Sequence, residues 1–147
     1  MANDKKLTIR TAAKPALVIS RPAFTAEKLV YVAVANKALK YAHGKCRIAY
    51  IGTTAAGASR IASSAAFRAK DLLALHRVTS LEFYIVTCAA RQKVKSWRKL
   101  ESGMIIAFKH MYGTVPKCNV KGKNQQWNDE LEYFTRSRLE GVLKKYQ

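Results

Sequence analysis

Two tyrosines and an arginine lie on a stretch of sequence whose pattern predicts a β-hairpin followed by a helix. The two predicted strands are apolar runs rich in β-branched residues, Leu29–Ala35 and Arg47–Thr53. Tyr31 lies on the first strand, Tyr50 lies on the second, and Arg60 falls on the first turn of the helix that follows. Two phenols and a guanidinium brought together in this way are suited to bind one phosphate group.

The composition limits the kind of protein to which such a site belongs. A chain of 147 residues is long enough for one domain with its own core. Hydrophobic residues make up 49% of the chain, yet 27 basic residues stand against 9 acidic ones and leave a net charge of +18. Folding does not require this excess, whereas polyanions are attracted by it, so a nucleic acid is the expected partner.

The positive charge is concentrated in the central part of the chain. Between Lys28 and Lys123 the acidic residues are Asp71, Glu82 and Glu101. No basic amphipathic segment has a clean lipid-facing stripe, and no run of ~18 apolar residues occurs, so no membrane partner is expected.

The cysteines favour a reducing compartment. Cys46, Cys88 and Cys118 are isolated and odd in number, and their spacing does not fit a paired metal-binding motif. We therefore expect free thiols and a cytoplasmic protein.

Residues 1–28 are basic and are interrupted by Pro15 and Pro22. Two short pieces have strand-like patterns, Leu7–Arg10 and Leu17–Ser20. An edge strand, a basic arm that follows a DNA groove and a poorly ordered tail all fit this segment.

Hydrophobic periodicity predicts the elements after the hairpin. Ser59–Leu75 and Arg91–Tyr112 have helical spacing, with Ser59 as the cap of the first helix and with Gly113 and Pro116 as stop signals after the second. Leu81–Thr87 is apolar enough for a central strand beside the hairpin. Gly113–Lys123 is predicted to be a loop or short strand, and Trp127–Tyr146 a C-terminal helix.

Glu101 interrupts the apolar face of the second predicted helix. It follows Trp97 by four residues and precedes Met104 by three, so its carboxylate lies on or beside the face that packs into the core. An acid in this position needs a cation or several hydrogen bonds. A boundary salt bridge satisfies this need, and so does a role as a ligand of Mg²⁺ or Mn²⁺, since such an ion can be held by one carboxylate with waters and a substrate phosphate.

The order of these residues resembles the GIY-YIG nuclease family over about residues 29–123. The matching pieces are Val30-Tyr31-Val32, Tyr50-Ile51-Gly52, Arg60, Leu100-Glu101 with Ile105 and Phe108, and Pro116-Lys117-Cys118-Asn119 followed by Gly122-Lys123. The chain departs from the family pattern in having Leu29 where the first motif opens with glycine, and in a longer connection between the two tyrosines.

The resemblance implies an α/β (α+β) domain with a small three-stranded antiparallel sheet flanked by helices, which hydrolyses DNA with one Mg²⁺ or Mn²⁺. Tyr31, or a water that it orders, would activate the attacking water, and Tyr50 would hold that water or the phosphate. Arg60 would stabilise the charge of the transition state, and Glu101 would bind the metal. Asn119 would position the surroundings of Tyr50 or the phosphate.

The group that assists proton removal stays open among Tyr31, Lys70 and His76. A phenol is a weak base at its ordinary pKa, and an adjacent lysine or arginine is expected to lower that pKa. Neither Lys70 nor His76 stands at a position equivalent to the histidine that the family often has near the arginine helix.

The sequence therefore predicts a metal-dependent DNA endonuclease of the homing, phage or restriction type, located in the host cytoplasm if it is phage-encoded. The predicted organisation is a basic arm over residues 1–28, a nuclease domain over 29–123 and a C-terminal helix within 124–147 that packs on the same domain. A homodimer on DNA is compatible with double-strand cleavage. The alternative is a basic nucleic-acid-binding module without catalysis.

Overall fold

The computed structural model describes residues 6–16, 18, 25–74 and 77–147, apart from the side chains of residues 66 and 68. These residues form one antiparallel sheet of three strands, in the order β2-β1-β3, together with four helices. The elements are β1 (Leu29–Tyr41), β2 (Gly44–Thr54), α1 (Gly57–Leu73), β3 (Leu81–Val86), α2 (Ser96–Tyr112), α3 (Glu130–Tyr133) and α4 (Arg136–Lys145). The predicted α+β class, with a three-stranded antiparallel sheet flanked by helices, is confirmed.

The central strand is β1, which pairs with β2 on one side and with β3 on the other. The segment at Leu81 pairs beside the hairpin as the third strand, as predicted, but it is not a central strand, because β3 lies at an edge and its side chains are only partly covered. The first seven residues of β1, by contrast, are all buried. This strand is the hydrophobic centre of the sheet.

The long connection between the two tyrosines is an extension of the hairpin rather than a free loop. β1 continues to Tyr41, and β2 begins at Gly44. The pairing shifts between Val34↔Ile48 and Leu39↔Cys46, so residues 35–38 of β1 stand opposite the single residue Arg47. A bulge of this kind absorbs inserted residues while both flanking ladders remain paired.

Helices cover both faces of the sheet. Because successive side chains of a strand alternate between faces, Leu29 and Tyr31 point to one face, where they pack with Ile61 of α1. Val30 and Val32 point to the other face and belong to the larger core, which includes Phe108 of α2. Leu139 and Leu143 of α4 complete that core.

Helix α1 begins two residues before the predicted start. Its N-cap, Ala56, makes no side-chain capping bond, so the predicted cap at Ser59 is wrong. Ser59 lies inside the first turn, where its hydroxyl donates to the Ala56 carbonyl at 3.1 Å. The helix ends at Leu73, and the predicted end at Leu75 lies outside the described residues.

Helix α2 begins five residues after the predicted start at Arg91. Lys93 has a left-handed backbone with φ of 62°, and Arg91 and Val94 form an isolated bridge, which is incompatible with a continuous helix. The predicted end is confirmed: Gly113 caps the helix with φ of 81° and donates its N–H to the Lys109 carbonyl at 2.8 Å.

The C-terminal segment forms two short helices, and the prediction of one continuous helix is wrong. Phe134 is extended between them, and Thr135 begins α4 as an N-cap that accepts a hydrogen bond from the Arg138 N–H at 3.3 Å. A threonine in this role starts a new helix rather than continuing an old one.

Residues 6–16 lie outside the helices and strands, so the predicted strand-like piece Leu7–Arg10 forms no strand. Leu7 and Ile9 are 93% and 89% exposed. Of the second piece, Leu17–Ser20, only Val18 is among the described residues. In the described part of the chain, every helix is too short or too polar to cross a membrane.

Candidate active site

Tyr31 and Tyr50 meet on the face of the sheet that α1 covers. Their ring centres are 5.9 Å apart, and Gly52 lies directly opposite Tyr31 in the hairpin. A Cβ atom at residue 52 would stand 2.6 Å from Cζ of Tyr31 and 2.6 Å from Cε1 of Tyr50. The two rings therefore occupy the space that only a glycine leaves free.

Tyr31 is the buried member of the pair. Its hydroxyl shares a hydrogen bond of 2.6 Å with the hydroxyl of Ser64 on α1, and the residue is 3% exposed. Burial raises the pKa of Tyr31 above its ordinary value and the neighbouring Tyr50 adds to the effect, while Ser64 and the charge of Arg60 oppose it without cancelling it. Arg60 lowers this pKa, as expected of a neighbouring cation, but burial outweighs it, so Tyr31 is suited to relay a proton or orient a water as a neutral phenol.

Arg60 lies exposed on the first turn of α1. The start of this helix has no side-chain cap and no acidic residue in its first turn, so the positive end of the helix dipole and Arg60 place positive charge at one end. Ser64 lies one turn further along the helix. Its contact with Tyr31 was not predicted from the sequence, but its i,i+4 spacing from Arg60 places it on the same helix face.

The structure does not bring Lys70 to the tyrosines, and His76 lies outside the described residues. Lys70 is exposed in the last turn of α1, a helical rise of about 15 Å beyond Arg60. The prediction of Lys70 as a site residue therefore finds no support in the geometry.

Glu101 lines a pocket of about 400 Å³ at the outer edge of β2. Tyr50 and Asn119 line the same pocket, together with Ile51, Ile105, Val120, Lys121, Gly122 and Gln125. The site residues thus form two groups: Tyr50, Glu101 and Asn119 line the pocket, and Tyr31, whose ring lies beside that of Tyr50, is close enough to Arg60 for its charge to act on the phenol.

Glu101 has neither an ion pair nor a hydrogen bond to its side chain within the described ranges, where the ion pairs are Lys99–Asp129 and Arg136–Glu140. The boundary salt bridge considered for Glu101 is therefore not formed there. Burial raises the pKa of Glu101 to about 7, and the charge of Arg98 only partly opposes this. The pocket holds a carboxylate whose charge is poorly compensated.

Asn119 fixes the strand that carries Tyr50. Its amide accepts a hydrogen bond from the Ile51 N–H at 3.0 Å and donates one to the Ile51 carbonyl at 2.8 Å. The Cys118 N–H donates to the Ala49 carbonyl at 3.0 Å. The loop after α2 therefore covers the outer edge of β2 beside the pocket, and Asn119 acts on Ile51 rather than facing outward.

A chain of hydrogen bonds behind the pocket was not predicted from the sequence. Gln125 donates to the Ser102 hydroxyl, Ser102 donates to Glu130 at 2.7 Å, and the Asn128 N–H donates to the second oxygen of Glu130 at 2.7 Å. Burial opposes ionisation of Glu130, but these hydrogen bonds together lower its pKa. An ionised Glu130 only accepts, so the Ser102 proton points to it and Gln125 must present its NH₂ to Ser102.

The amide oxygen of Gln125 is consequently left on the side of the pocket. It lies 3.5 Å from the position that a Cβ atom on Gly122 would take, and Gly122 lines the pocket. Glu101 and Gln125 are thus the side chains that offer it hard oxygen atoms in addition to the Tyr50 hydroxyl. In the described part of the chain, no group of three or more His, Cys, Asp and Glu residues is arranged to hold a metal.

No protein-family model, curated protein or solved structure matches this chain. The function of the pocket must therefore be inferred from the residues that line it. A poorly compensated carboxylate, a phenol and a bordering lysine, Lys121, surround a space large enough for a phosphate and an ion with its waters. This donor set suits metal-assisted attack on a phosphate ester better than acyl transfer, which needs a nucleophile and base within hydrogen-bond reach.

Proposed function

We propose that this chain is a metal-dependent DNA endonuclease with a GIY-YIG-type active site. The observation that supports the proposal best is the Glu101 carboxylate, which shares a pocket with Tyr50, forms no ion pair or hydrogen bond among the described residues and is only partly compensated by the charge of Arg98. The net charge of +18 supports a nucleic acid as the substrate.

The pocket fits Mg²⁺ or Mn²⁺ in its chemistry. Such ions take oxygen ligands, keep several waters and are commonly held by one or two protein carboxylates with a substrate phosphate. Glu101 supplies the carboxylate, and the amide oxygen of Gln125 borders the same space. A bound cation also removes the penalty of the uncompensated charge on Glu101.

Each protein group is assigned a role that its position supports. Tyr50 donates a hydrogen bond to the phosphate or to the attacking water in the pocket, and Tyr31 relays a proton behind it through Ser64. Arg60 stabilises the negative charge that develops on the phosphate. Asn119 is a positioning residue, since it acts through Ile51. When bound, the metal polarises the phosphate and stabilises the leaving oxygen.

The test is cleavage of supercoiled plasmid with Mg²⁺, Mn²⁺ or EDTA. We expect nicking or linearisation with either metal, no cleavage in EDTA, and no metal-dependent cleavage by Glu101→Ala. Arg60→Ala should lower the rate by about 10²- to 10³-fold. Glu132→Ala and Arg138→Ala are the matched controls, because both side chains are exposed on the C-terminal helices, and they should cleave as wild type does.

Two results contradict the proposal. The first is an intact plasmid under every metal condition although wild type binds DNA, which supports the non-catalytic binding module. The second is cleavage that persists in Glu101→Ala at the wild-type rate, which points to a contaminating nuclease.

A further inference from the structure

A second cleft, of about 520 Å³, opens beside the catalytic pocket. It lies between the end of β1 and the loop that follows α2, and it shares Asn119 and Val120 with the pocket. Three lysines line it, Lys40, Lys117 and Lys123, and no carboxylate does. The described residues around this cleft therefore attract an anion and offer nothing acidic that repels one.

The walls of the cleft are held in place by hydrogen bonds that cross from the loop to the sheet. The Tyr41 hydroxyl donates to the Ile48 carbonyl at 2.6 Å and accepts from the Lys117 N–H at 3.1 Å. The ammonium of Lys117 lies 5.4 Å from the centre of the Tyr41 ring. A lysine placed by its own backbone and by an aromatic ring loses less freedom when it binds a ligand than a lysine on a free surface does.

Val120 forms the ridge between the cleft and the pocket. It is 76% exposed although it is β-branched and apolar, and it lines both cavities. A nucleic-acid strand alternates charged phosphates with largely apolar sugar faces. The surface of the protein matches this alternation, since the apolar ridge has the lysines on one side and the pocket, as a phosphate site, on the other.

We propose that the lysine cleft binds backbone phosphates of the same DNA strand that enters the catalytic pocket, with a sugar face against Val120. This inference rests on the proposed function, because it takes the pocket as the place of the cleaved phosphate. The cleft therefore sets the position of the strand and contributes affinity without reading its sequence.

The experiment measures the affinity for a short fluorescein-labelled duplex over a series of salt concentrations, in EDTA so that no cleavage occurs. The slope of log K against log salt reports the number of phosphates neutralised, at about 0.9 per phosphate of B-DNA. We expect the triple variant Lys40→Ala/Lys117→Ala/Lys123→Ala to flatten the slope by about 2 to 3.

The control variant Lys95→Ala/Lys144→Ala/Lys145→Ala removes the same charge from exposed positions, at the N-cap of α2 and at the end of α4. It should leave the slope close to that of wild type. The variant Lys40→Arg/Lys117→Arg/Lys123→Arg keeps the charge and should retain the slope, which separates lost phosphate contacts from damaged folding. Circular dichroism on every variant checks that the fold is kept.

Equal slopes for the cleft and control variants overturn the inference. A flattened slope in the arginine variant also overturns the inference, because that variant keeps the positive charge of the cleft and should still bind the phosphates. Failure of the proposed function is a different result: plasmid stays intact with Mg²⁺ or Mn²⁺, whatever the slopes are in EDTA. A wild-type protein that cleaves plasmid while its cleft lysines leave the slope unchanged refutes the cleft alone.

Discussion

The charge of the Glu101 carboxylate is poorly compensated in the folded protein. The carboxylate lies half-buried in the pocket, and its pKa of about 7 reflects burial. Such a group destabilises the folded chain when it is ionised, since the unfolded chain keeps it in water. A binding partner that compensates the charge is the simplest physical reason for an acid in this place.

Glu101→Gln should therefore stabilise the chain in EDTA at about pH 8, by about 1–2 kcal/mol, and should have little effect at about pH 4. The sign follows from the raised pKa: the carboxyl is neutral in both states below its ordinary value of 4.5, and the folded state pays the ionisation penalty in full only above about 7. Thermal unfolding at the two pH values measures the difference. Equal stability of the two proteins at about pH 8 would refute the account of Glu101.

Gly52→Ala should lower the cleavage rate by about 10²-fold, because the added Cβ at 2.6 Å from both tyrosine rings forces them apart. It should also cost about 1–3 kcal/mol of unfolding free energy. Plasmid nicking and thermal unfolding measure the two effects. Gly141→Ala in α4 is the control, since nothing lies within 4 Å of its added Cβ and a helix interior favours alanine. Nicking by Gly52→Ala at the wild-type rate would contradict the tight fit of the rings.

At the scale of elements, the site is assembled by the contact between the loop after α2 and the outer edge of β2. Asn119 holds both backbone groups of Ile51, and Tyr50 and Gly52 stand on either side of that residue. The loop therefore closes the sheet edge and fixes the strand that carries the second tyrosine. Tyr50 owes its position to a residue far along the chain.

Asn119→Ala should destabilise the chain by about 1–3 kcal/mol, because it leaves the N–H and the carbonyl of Ile51 without their partners. Cleavage should fall as well, with DNA binding in EDTA largely kept. Chemical denaturation and the plasmid assay measure the two effects. Asn124→Ala, at an exposed turn of the same loop, serves as the comparison and should behave as wild type. A stability loss of the same size in both variants would contradict the role of Asn119 as the partner of the Ile51 backbone groups.

Local patterns in the sequence predicted the pieces of the site, but not the contacts between them. The placement of Tyr31 and Tyr50 on paired strands and the end of α2 at Gly113 were predictable, because alternation and glycine stop signals act over a few residues. The bond from Asn119 to Ile51 spans 68 residues. No periodicity encodes such a contact, and the same holds for the choice of β1 as the central strand.

At the scale of the whole molecule, the charge of +18 acts as a field around a small domain. Three acidic residues of the C-terminal helical region, Asp129, Glu130 and Glu140, form internal contacts. Among the described residues that line the pocket and the lysine cleft, Glu101 is the one acidic residue, beside the four lysines Lys40, Lys117, Lys121 and Lys123. The distribution favours a polyanion on that side.

DNA binding in EDTA should therefore weaken steeply with salt, with log K falling against log salt at a slope of about −5 or steeper. Glu101→Ala should bind at least as well as wild type, because it removes a negative charge from the binding surface. Fluorescence anisotropy over a salt series measures both. A slope near zero would show that the net charge plays no part in binding.

The contact between Asn119 and Ile51 also provides a reporter. The Ile51 amide proton points away from β1 and is protected by the Asn119 side chain, so its hydrogen exchange tracks opening of the loop rather than unfolding of the sheet. Nuclear magnetic resonance of this one amide would follow the assembly of the site in solution. Metal and DNA should slow its exchange together with that of the Cys118 amide, which donates to the same strand.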